Sequence, residues 1–128
     1  MRRMLMTIAV AAAAFAPGLA SAQSGDAAAG QRVFNQCRAC HISENNGRNG
    51  VGPNLWGVVG RRAASIEGFR YSANMRTLGE GGHTWTEDNL RAYITNPKAV
   101  APQGSMSYPG LRNEAQLTDL IAYLNTLK

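Results

Sequence analysis

The sequence Cys37-Arg38-Ala39-Cys40-His41 constrains this chain more than any other feature, because it has the form C-x-x-C-H. Two thiols three positions apart on one helical turn can add across the two vinyl groups of a haem. The histidine that follows can then bind the iron with its imidazole. The motif therefore predicts a covalently bound haem, attached through Cys37 and Cys40, with His41 as an iron ligand.

Two other kinds of site could use the same residues. A thioredoxin-like redox pair lies beside a βαβ pattern, and no segment of this chain alternates convincingly as a strand. A structural zinc site needs four ligands in spaced pairs. Here His83 is the only other histidine, and Cys40 and His41 are adjacent. The sequence therefore favours haem over either alternative.

The first 22 residues have the pattern of a secretory signal peptide. The basic region Met1-Arg2-Arg3 precedes an apolar run from Leu5 to Ala16 and a small-residue cleavage site, Ala20-Ser21-Ala22. This apolar run is too short to span a bilayer comfortably as a membrane anchor. We therefore expect a cleaved signal peptide over residues 1–22 and a secreted, periplasmic domain over residues 23–128.

The remaining length suits one small domain, in which a haem would complete a modest core. Two cysteines are too few for the disulfide framework of small secreted proteins. Without Arg2 and Arg3, 11 of the 13 basic side chains remain against 8 acidic ones, a net charge of +3. This charge is too weak to predict a nucleic-acid surface, but it suits transient docking to an acidic face of another protein.

Helical patterns occupy both ends of this domain. One helix face is predicted at each end, formed by Gly30, Val33, Phe34 and Cys37 and by Leu117, Leu120, Ile121 and Leu124. Asn113 and Gln116 form a capping-box pattern at the start of the last helix. Because Gly30 has no side chain, we expect the last helix to cross the first one there.

The middle of the domain contains further helices separated by loops. A third helix is predicted to begin after Thr86 and to end near Asn96, because Pro97 disfavours helical backbone at the residue before it. A short helix is predicted over residues 72–77. The stretches between these elements are rich in glycine and predict loops over residues 46–60, 79–82 and 100–110. The prediction is an all-α fold whose long loops surround a bound group.

Three side chains after the signal peptide could provide a second iron ligand: His83, Met75 and Met106. Met106 ends a flexible loop from Pro102 that could reach across a haem. Met75 falls in the predicted short helix, where a methionine packed in the core is expected. His83 follows two glycines, which predicts an exposed turn. The sequence favours Met106.

Other residues resemble landmarks of the class I cytochromes c, in the branch of bacterial cytochrome c2 and mitochondrial cytochrome c. In chain order the landmarks are Gly30-x-x-x-Phe34, Gly52-Pro53-Asn54-Leu55, Gly57, Gly60-Arg61, Phe69-x-Tyr71-Ser72, Trp85, Tyr93, Asn96-Pro97-Lys98, Pro102, Met106 and Leu120-x-x-Tyr123-Leu124. The resemblance extends over essentially the whole chain after residue 22. It implies a small single-domain fold in which the N- and C-terminal helices cross beside one covalent haem c.

The resemblance also implies roles for individual residues. His41 and Met106 would be the axial ligands of the iron, and the Pro53 carbonyl would accept the proton on the His41 ring nitrogen that is not bound to iron. Tyr93 would lie near the Met106 sulfur. A haem propionate would receive hydrogen bonds from Arg61, Tyr71 and Trp85, since a buried carboxylate needs such partners.

A protein of this family would be a monomeric electron carrier rather than an enzyme, with no nucleic-acid partner and no stable membrane insertion after signal cleavage. The expected donor is a quinol–cytochrome c oxidoreductase or a dehydrogenase, and the expected acceptor is a terminal oxidase or reductase. The alternatives are an electron-accepting subunit of a periplasmic dehydrogenase and a gas-binding haem protein.

The chain differs from the family pattern at two places. Gln103-Gly104-Ser105 stands where relatives often have Gly-Thr-Lys, so a threonine hydroxyl and a docking lysine are missing. The segment between Tyr71 and Trp85 is a few residues longer than in mitochondrial members.

Arg38 and Lys98 are the expected docking cations near the exposed haem edge.

Overall fold

Helices and long loops make up the part of the chain that the computed structural model describes, which is residues 9–12 and 24–128. The helices are α1 (Ala27–Val33), α2 (Ala73–Glu80), α3 (Glu87–Thr95), α4 (Pro97–Val100) and α5 (Glu114–Leu124), and a 3-10 turn over Phe34–Gln36 follows α1. Within these residues the only paired extended backbone is an isolated bridge between Arg62 and Thr84. The structure confirms the predicted all-α class. The proposed signal peptide lies outside the described residues, apart from residues 9–12.

Side-chain caps fix where four of the helices begin, because each satisfies backbone N–H groups that have no partner within the helix. The Asp26 carboxylate accepts from the Ala28 and Ala29 amides at the start of α1. The caps of α2, α3 and α5 are Ser72, Thr86 and Asn113, and each accepts from an amide three residues further along. The observed starts of α2, α3 and α5 agree with those predicted from the sequence.

The crossing of α1 and α5 is the main packing contact between helices. A Cβ atom added at Gly30 would overlap the Asp119 carbonyl group and the Tyr123 side chain. Beside this crossing the rings of Phe34 and Tyr123 pack 5.2 Å apart between centroids. Phe34 and Leu120 are fully buried. The predicted crossing at Gly30 is confirmed, with α5 held on α1 by close backbone approach and apolar burial.

Two elements differ from the sequence prediction. Helix α2 continues to Glu80, one turn beyond the predicted end and into the stretch expected to be a loop. Gly79 lies inside that turn, where a Cβ atom would overlap the Ala63 carbonyl oxygen. Local sequence does not reveal this tertiary contact. The one-turn helix α4 was not predicted; it begins at Pro97, whose fixed φ suits the first helical position.

Among the described residues, none of the helices is both long and apolar enough to cross a membrane.

Replacing Gly30 by alanine should destabilise the protein, because the new methyl group would force α5 away from α1. We expect the free energy of unfolding to fall by about 1–3 kcal/mol, the usual cost of overpacking a core. Denaturant unfolding of the haem-containing protein measures this change.

Gly81→Ala is the matched control. Gly81 has a negative φ of −75°, and an added Cβ would lie 3.5 Å from its nearest neighbours, an ordinary contact. Its effect should stay within about 0.5 kcal/mol, as for most surface changes. Equal losses for the two variants would show that α1 and α5 do not depend on close approach at Gly30.

Candidate functional site

One cavity of about 450 Å³ lies beside the α1–α5 crossing, within the usual size of a cofactor pocket, roughly 300–1,000 Å³. All nine residues for which the sequence predicted a site role line it. They are Cys37, Cys40, His41, Pro53, Arg61, Tyr71, Trp85, Tyr93 and Met106. Separate parts of the chain, from the end of the first helix to the loop before α5, therefore converge on one pocket.

The C-x-x-C-H segment forms a tight helical turn at one wall of the cavity. The Cys40 amide donates to the Cys37 carbonyl at 3.1 Å, and the His41 amide donates to the same carbonyl at 2.9 Å. The two cysteines do not form a disulfide. Burial, with a smaller contribution from Cys40, raises the pKa of the Cys37 thiol to about 11. The turn thus presents two cysteine sulfurs and an imidazole to the same space.

His41 is held in one orientation by the loop opposite it. Its Nδ1 lies 2.7 Å from the Pro53 carbonyl oxygen. Because a carbonyl can only accept, Nδ1 carries the proton and Nε2 keeps its lone pair. Burial lowers the pKa of His41, although the Pro53 hydrogen bond opposes this, so the neutral ring is favoured. A Cβ at Gly52 would lie 2.5 Å from His41 Cε1, so only glycine lets the loop pack this closely.

The buried amide of Asn54 organises that loop, a role that was not predicted although the residue is a family landmark. Asn54 Nδ2 donates to the carbonyls of Glu44 and Arg48 at 3.0 and 2.8 Å. Its Oδ1 accepts from the Trp56 amide at 2.7 Å. These bonds fix the backbone on both sides of Pro53. The signal was present in the sequence, since asparagine is typical of such local hydrogen bonding to backbone.

Polar groups cluster at another part of the cavity wall. The Arg61 guanidinium donates to the carbonyls of Trp56 and Asn54 at 3.1 and 3.0 Å. Burial lowers its pKa, with Tyr71 acting in the opposite direction. The Tyr71 hydroxyl accepts from the Ile66 amide at 3.1 Å. Arg61 uses only two of its five N–H donors in these bonds, so the others remain to bind an anionic group.

Two aromatic residues, Trp85 and Tyr93, also line the cavity. The rings of Trp85 and Tyr93 are 4.9 Å apart between centroids, and Trp85 is buried. Burial raises the pKa of Tyr93, which keeps its hydroxyl protonated as a hydrogen-bond donor. Tyr93 and Met106 line the same cavity, as the predicted proximity requires.

Met106 lies in the loop between α4 and α5, half-buried at the cavity wall. Before it, the Gln103 amide donates to Asn74 Oδ1 of α2 at 2.9 Å, and Lys98 Nζ donates to the Gly104 carbonyl. Met75 is buried, as predicted for a core methionine, and also lines the cavity. Two thioethers therefore face this space, one from a helix and one from a loop.

The exposed turn predicted for His83 is wrong. The ring is half-buried, packs edge-on against Trp85 at 5.0 Å between centroids, and has a buried Nε2 with no hydrogen-bond partner. It is absent from the cavity wall. The bridge between Arg62 and Thr84 draws this segment inwards, a pairing between distant residues that the two preceding glycines do not indicate.

The residues present fit a haem. The cavity supplies two thiols on one turn, a neutral imidazole with a free nitrogen lone pair, a thioether, and a partly satisfied guanidinium. Among residues 9–12 and 24–128, no group of three or more histidine, cysteine, aspartate or glutamate side chains could hold a metal ion. The zinc alternative therefore has no ligand set in this part of the chain.

Comparison with known proteins also points to a haem protein. A family model described as cytochrome c matches residues 27–128. Cytochrome c2 of Blastochloris viridis is 45% identical over 125 residues, covering 97% of this chain and 92% of the relative. Cytochrome c-554 of Methylosinus trichosporium is 40% identical over 126 residues, covering 98% and 93%.

The fold is also similar to that of a solved structure. The ferricytochrome c2 of Rhodopseudomonas palustris aligns with a TM-score of 0.72 at 40% identity, covering 80% of this chain and 99% of that one. Together with the family match, this shows that the chain belongs to the cytochrome c family, whose members bind one covalent haem c.

Proposed function

We propose that this chain is a periplasmic one-electron carrier with haem bound through Cys37 and Cys40 and with His41 and Met106 as axial ligands. The observation that supports this most strongly is the convergence of these four side chains on one cavity. Bound haem supplies reversible one-electron Fe(III)/Fe(II) chemistry, and the protein supplies attachment, orientation and electrostatics.

His41 would bind the iron through Nε2, because Nδ1 is engaged with Pro53. A hydrogen bond to the second ring nitrogen fixes the tautomer and raises the basicity of an imidazole ligand. The Pro53 carbonyl comes directly before Asn54. The Asn54 side chain bonds the backbone of Arg48 and Trp56, and these bonds hold the carbonyl in position. We therefore expect the His41 ligand to be the rigid one of the pair.

Met106 would set the reduction potential towards a higher value. A thioether favours ferrous iron relative to a nitrogen ligand, and the apolar wall of the cavity disfavours the extra positive charge of the ferric state. Two ligands that stay bound in both oxidation states also leave no open position for a substrate. This arrangement suits electron transfer rather than bond-making chemistry.

Arg61, Tyr71 and Trp85 would surround a haem propionate. Arg61 is already oriented by two carbonyls and keeps free N–H donors. A guanidinium held in this way binds a carboxylate by charge-assisted hydrogen bonds. The same polar cluster would offset the cost of bringing a propionate out of water.

The periplasmic location rests on the predicted signal peptide over residues 1–22, with the mature domain over 23–128. The expected partners are a quinol–cytochrome c oxidoreductase or dehydrogenase as donor and a terminal oxidase or reductase as acceptor. Arg38 is exposed two positions before the exposed Cys40, so it is a suitable docking cation. Lys98 is exposed as well, but its ammonium donates to the Gly104 carbonyl near Met106.

Met106→Ala should open the sixth coordination position. We expect loss of the sulfur-to-iron charge-transfer band, CO binding by the reduced protein, and a fall in reduction potential within the roughly 0.8 V range over which axial ligands tune haem proteins. Absorption spectra and a redox titration measure all three.

Met75→Leu is the matched control, because leucine fills a similar volume without sulfur and costs little in a core. It should leave the band and the potential nearly unchanged. Loss of the band in the Met75 variant but not in the Met106 variant would identify Met75 as the ligand instead.

Arg38→Glu should slow electron transfer to an acidic partner at low ionic strength and flatten its salt dependence, because small transient interfaces depend on charge steering. Stopped-flow rates across a salt series measure this. Replacing Arg38 removes its bond to Asn35 Oδ1, which lies outside the Met106 loop. Replacing Lys98 would remove the bond to Gly104 inside that loop, so Arg38 suits this test better.

Lys128→Glu makes the same change in charge at an exposed residue that does not line the cavity. It should affect the rate far less than Arg38→Glu. Equal effects would mean that net charge, not a docking surface at Arg38, controls association.

A further inference from the structure

One hydrogen bond joins the loop that contains Met106 to the helical segment before the haem motif. The Tyr108 hydroxyl donates to Gln36 Oε1 at 2.9 Å, across 72 positions of sequence. Tyr108 follows Met106 by two residues, and Gln36 immediately precedes Cys37. Both side chains line the cavity. The bond therefore connects the two chain segments from which a thioether bridge and the methionine ligand would come.

The loop around Met106 has few other attachments. No backbone amide from residues 105–110 donates to another backbone group in the described part of the chain; such bonds stop at Gly104 and resume at Leu111. Before Met106 the loop is tied to Asn74 and Lys98. After Met106, the side-chain hydrogen bond from Tyr108 to Gln36 holds the loop.

Tyr108 is suited to this contact. Its hydroxyl has one O–H donor, which points at the Gln36 amide oxygen. The Gln36 amide oxygen is a neutral acceptor at any pH. The bond therefore pairs a phenol donor with an amide acceptor and needs no charged group.

We propose that Tyr108 and Gln36 form a clasp that holds the Met106 segment closed over the cavity. They are positioning residues, which act on ligation through the loop rather than by touching the iron. This inference rests on the proposed ligation by Met106. Opening of the clasp would be the event that lets Met106 leave and an outside ligand enter.

The clasp is tested by the rate at which imidazole displaces Met106 in the oxidised haem protein. At saturating imidazole the first-order rate reports loop opening, because binding is then no longer limiting. Tyr108→Phe removes one hydroxyl and keeps the ring. A net hydrogen bond lost from the closed state should raise this limiting rate by about two- to tenfold.

A matched variant is available outside the Met106 loop. The Tyr123 hydroxyl donates to Ser43 Oγ at 3.2 Å, a bond between residues 80 positions apart that does not involve the Met106 loop. Tyr123→Phe should lower global stability yet leave the limiting rate of displacement unchanged. Gln36→Met should reproduce the Tyr108→Phe rate, and the double variant should add little further, since the two residues act as a pair.

The outcomes separate the clasp from the ligation it rests on. Faster displacement in both single variants, without additivity and with Tyr123→Phe unaffected, supports the clasp. An intact charge-transfer band with an unchanged limiting rate in Tyr108→Phe overturns the clasp and leaves the ligation standing. Absence of the band in the unsubstituted protein overturns the ligation and the clasp with it.

Discussion

The hydrogen bond from His41 Nδ1 to the Pro53 carbonyl, 2.7 Å long, is the interaction on which the site depends. It joins the turn that contains the cysteines to the loop that closes that side of the cavity, and it leaves Nε2 as the nitrogen with a free lone pair. Gly52 permits the approach because a Cβ there would collide with the imidazole. Asn54, 6% exposed, then fixes the loop with bonds to Glu44, Arg48 and Trp56.

The two sides of the cavity are held by different kinds of interaction. On the His41 side, backbone groups are bound by a buried amide and by close packing, which leaves few alternative arrangements. On the Met106 side, residues 105–110 lack backbone-to-backbone donors in the described part of the chain, and side chains such as Lys98 and Tyr108 tie the segment. Such a region belongs at the low end of local stability. With the ligand pair proposed above, ligand exchange should therefore begin at Met106, while His41 stays in place.

Much of the fold could be predicted from local signals. Caps at Ser72, Thr86 and Asn113 depend on a few neighbouring residues, and the crossing at Gly30 followed from an apolar period with a missing side chain. The extra turn of α2 and the inward position of His83 could not be predicted, because both depend on pairing with residues 61–64. The motif predicted Cys37, Cys40 and His41, and a comparison of the possible ligands favoured Met106. The resemblance supplied the other predicted cavity-lining residues, Pro53, Arg61, Tyr71, Trp85 and Tyr93. The hydrogen bond from Tyr108 to Gln36 was not predicted, since nothing in a sequence joins residues 72 positions apart.

The measurement that tests the central claim most directly is the pyridine haemochrome spectrum of the denatured protein, recorded with the native oxidised and reduced spectra. Two thioether bonds at Cys37 and Cys40 predict a c-type haemochrome that survives extraction with acidified organic solvent. Ligation by His41 and Met106 predicts a low-spin native spectrum with the sulfur-to-iron charge-transfer band in the oxidised state. Haem that is extracted by the solvent would contradict covalent attachment, and a high-spin native spectrum without the band would contradict the ligand pair.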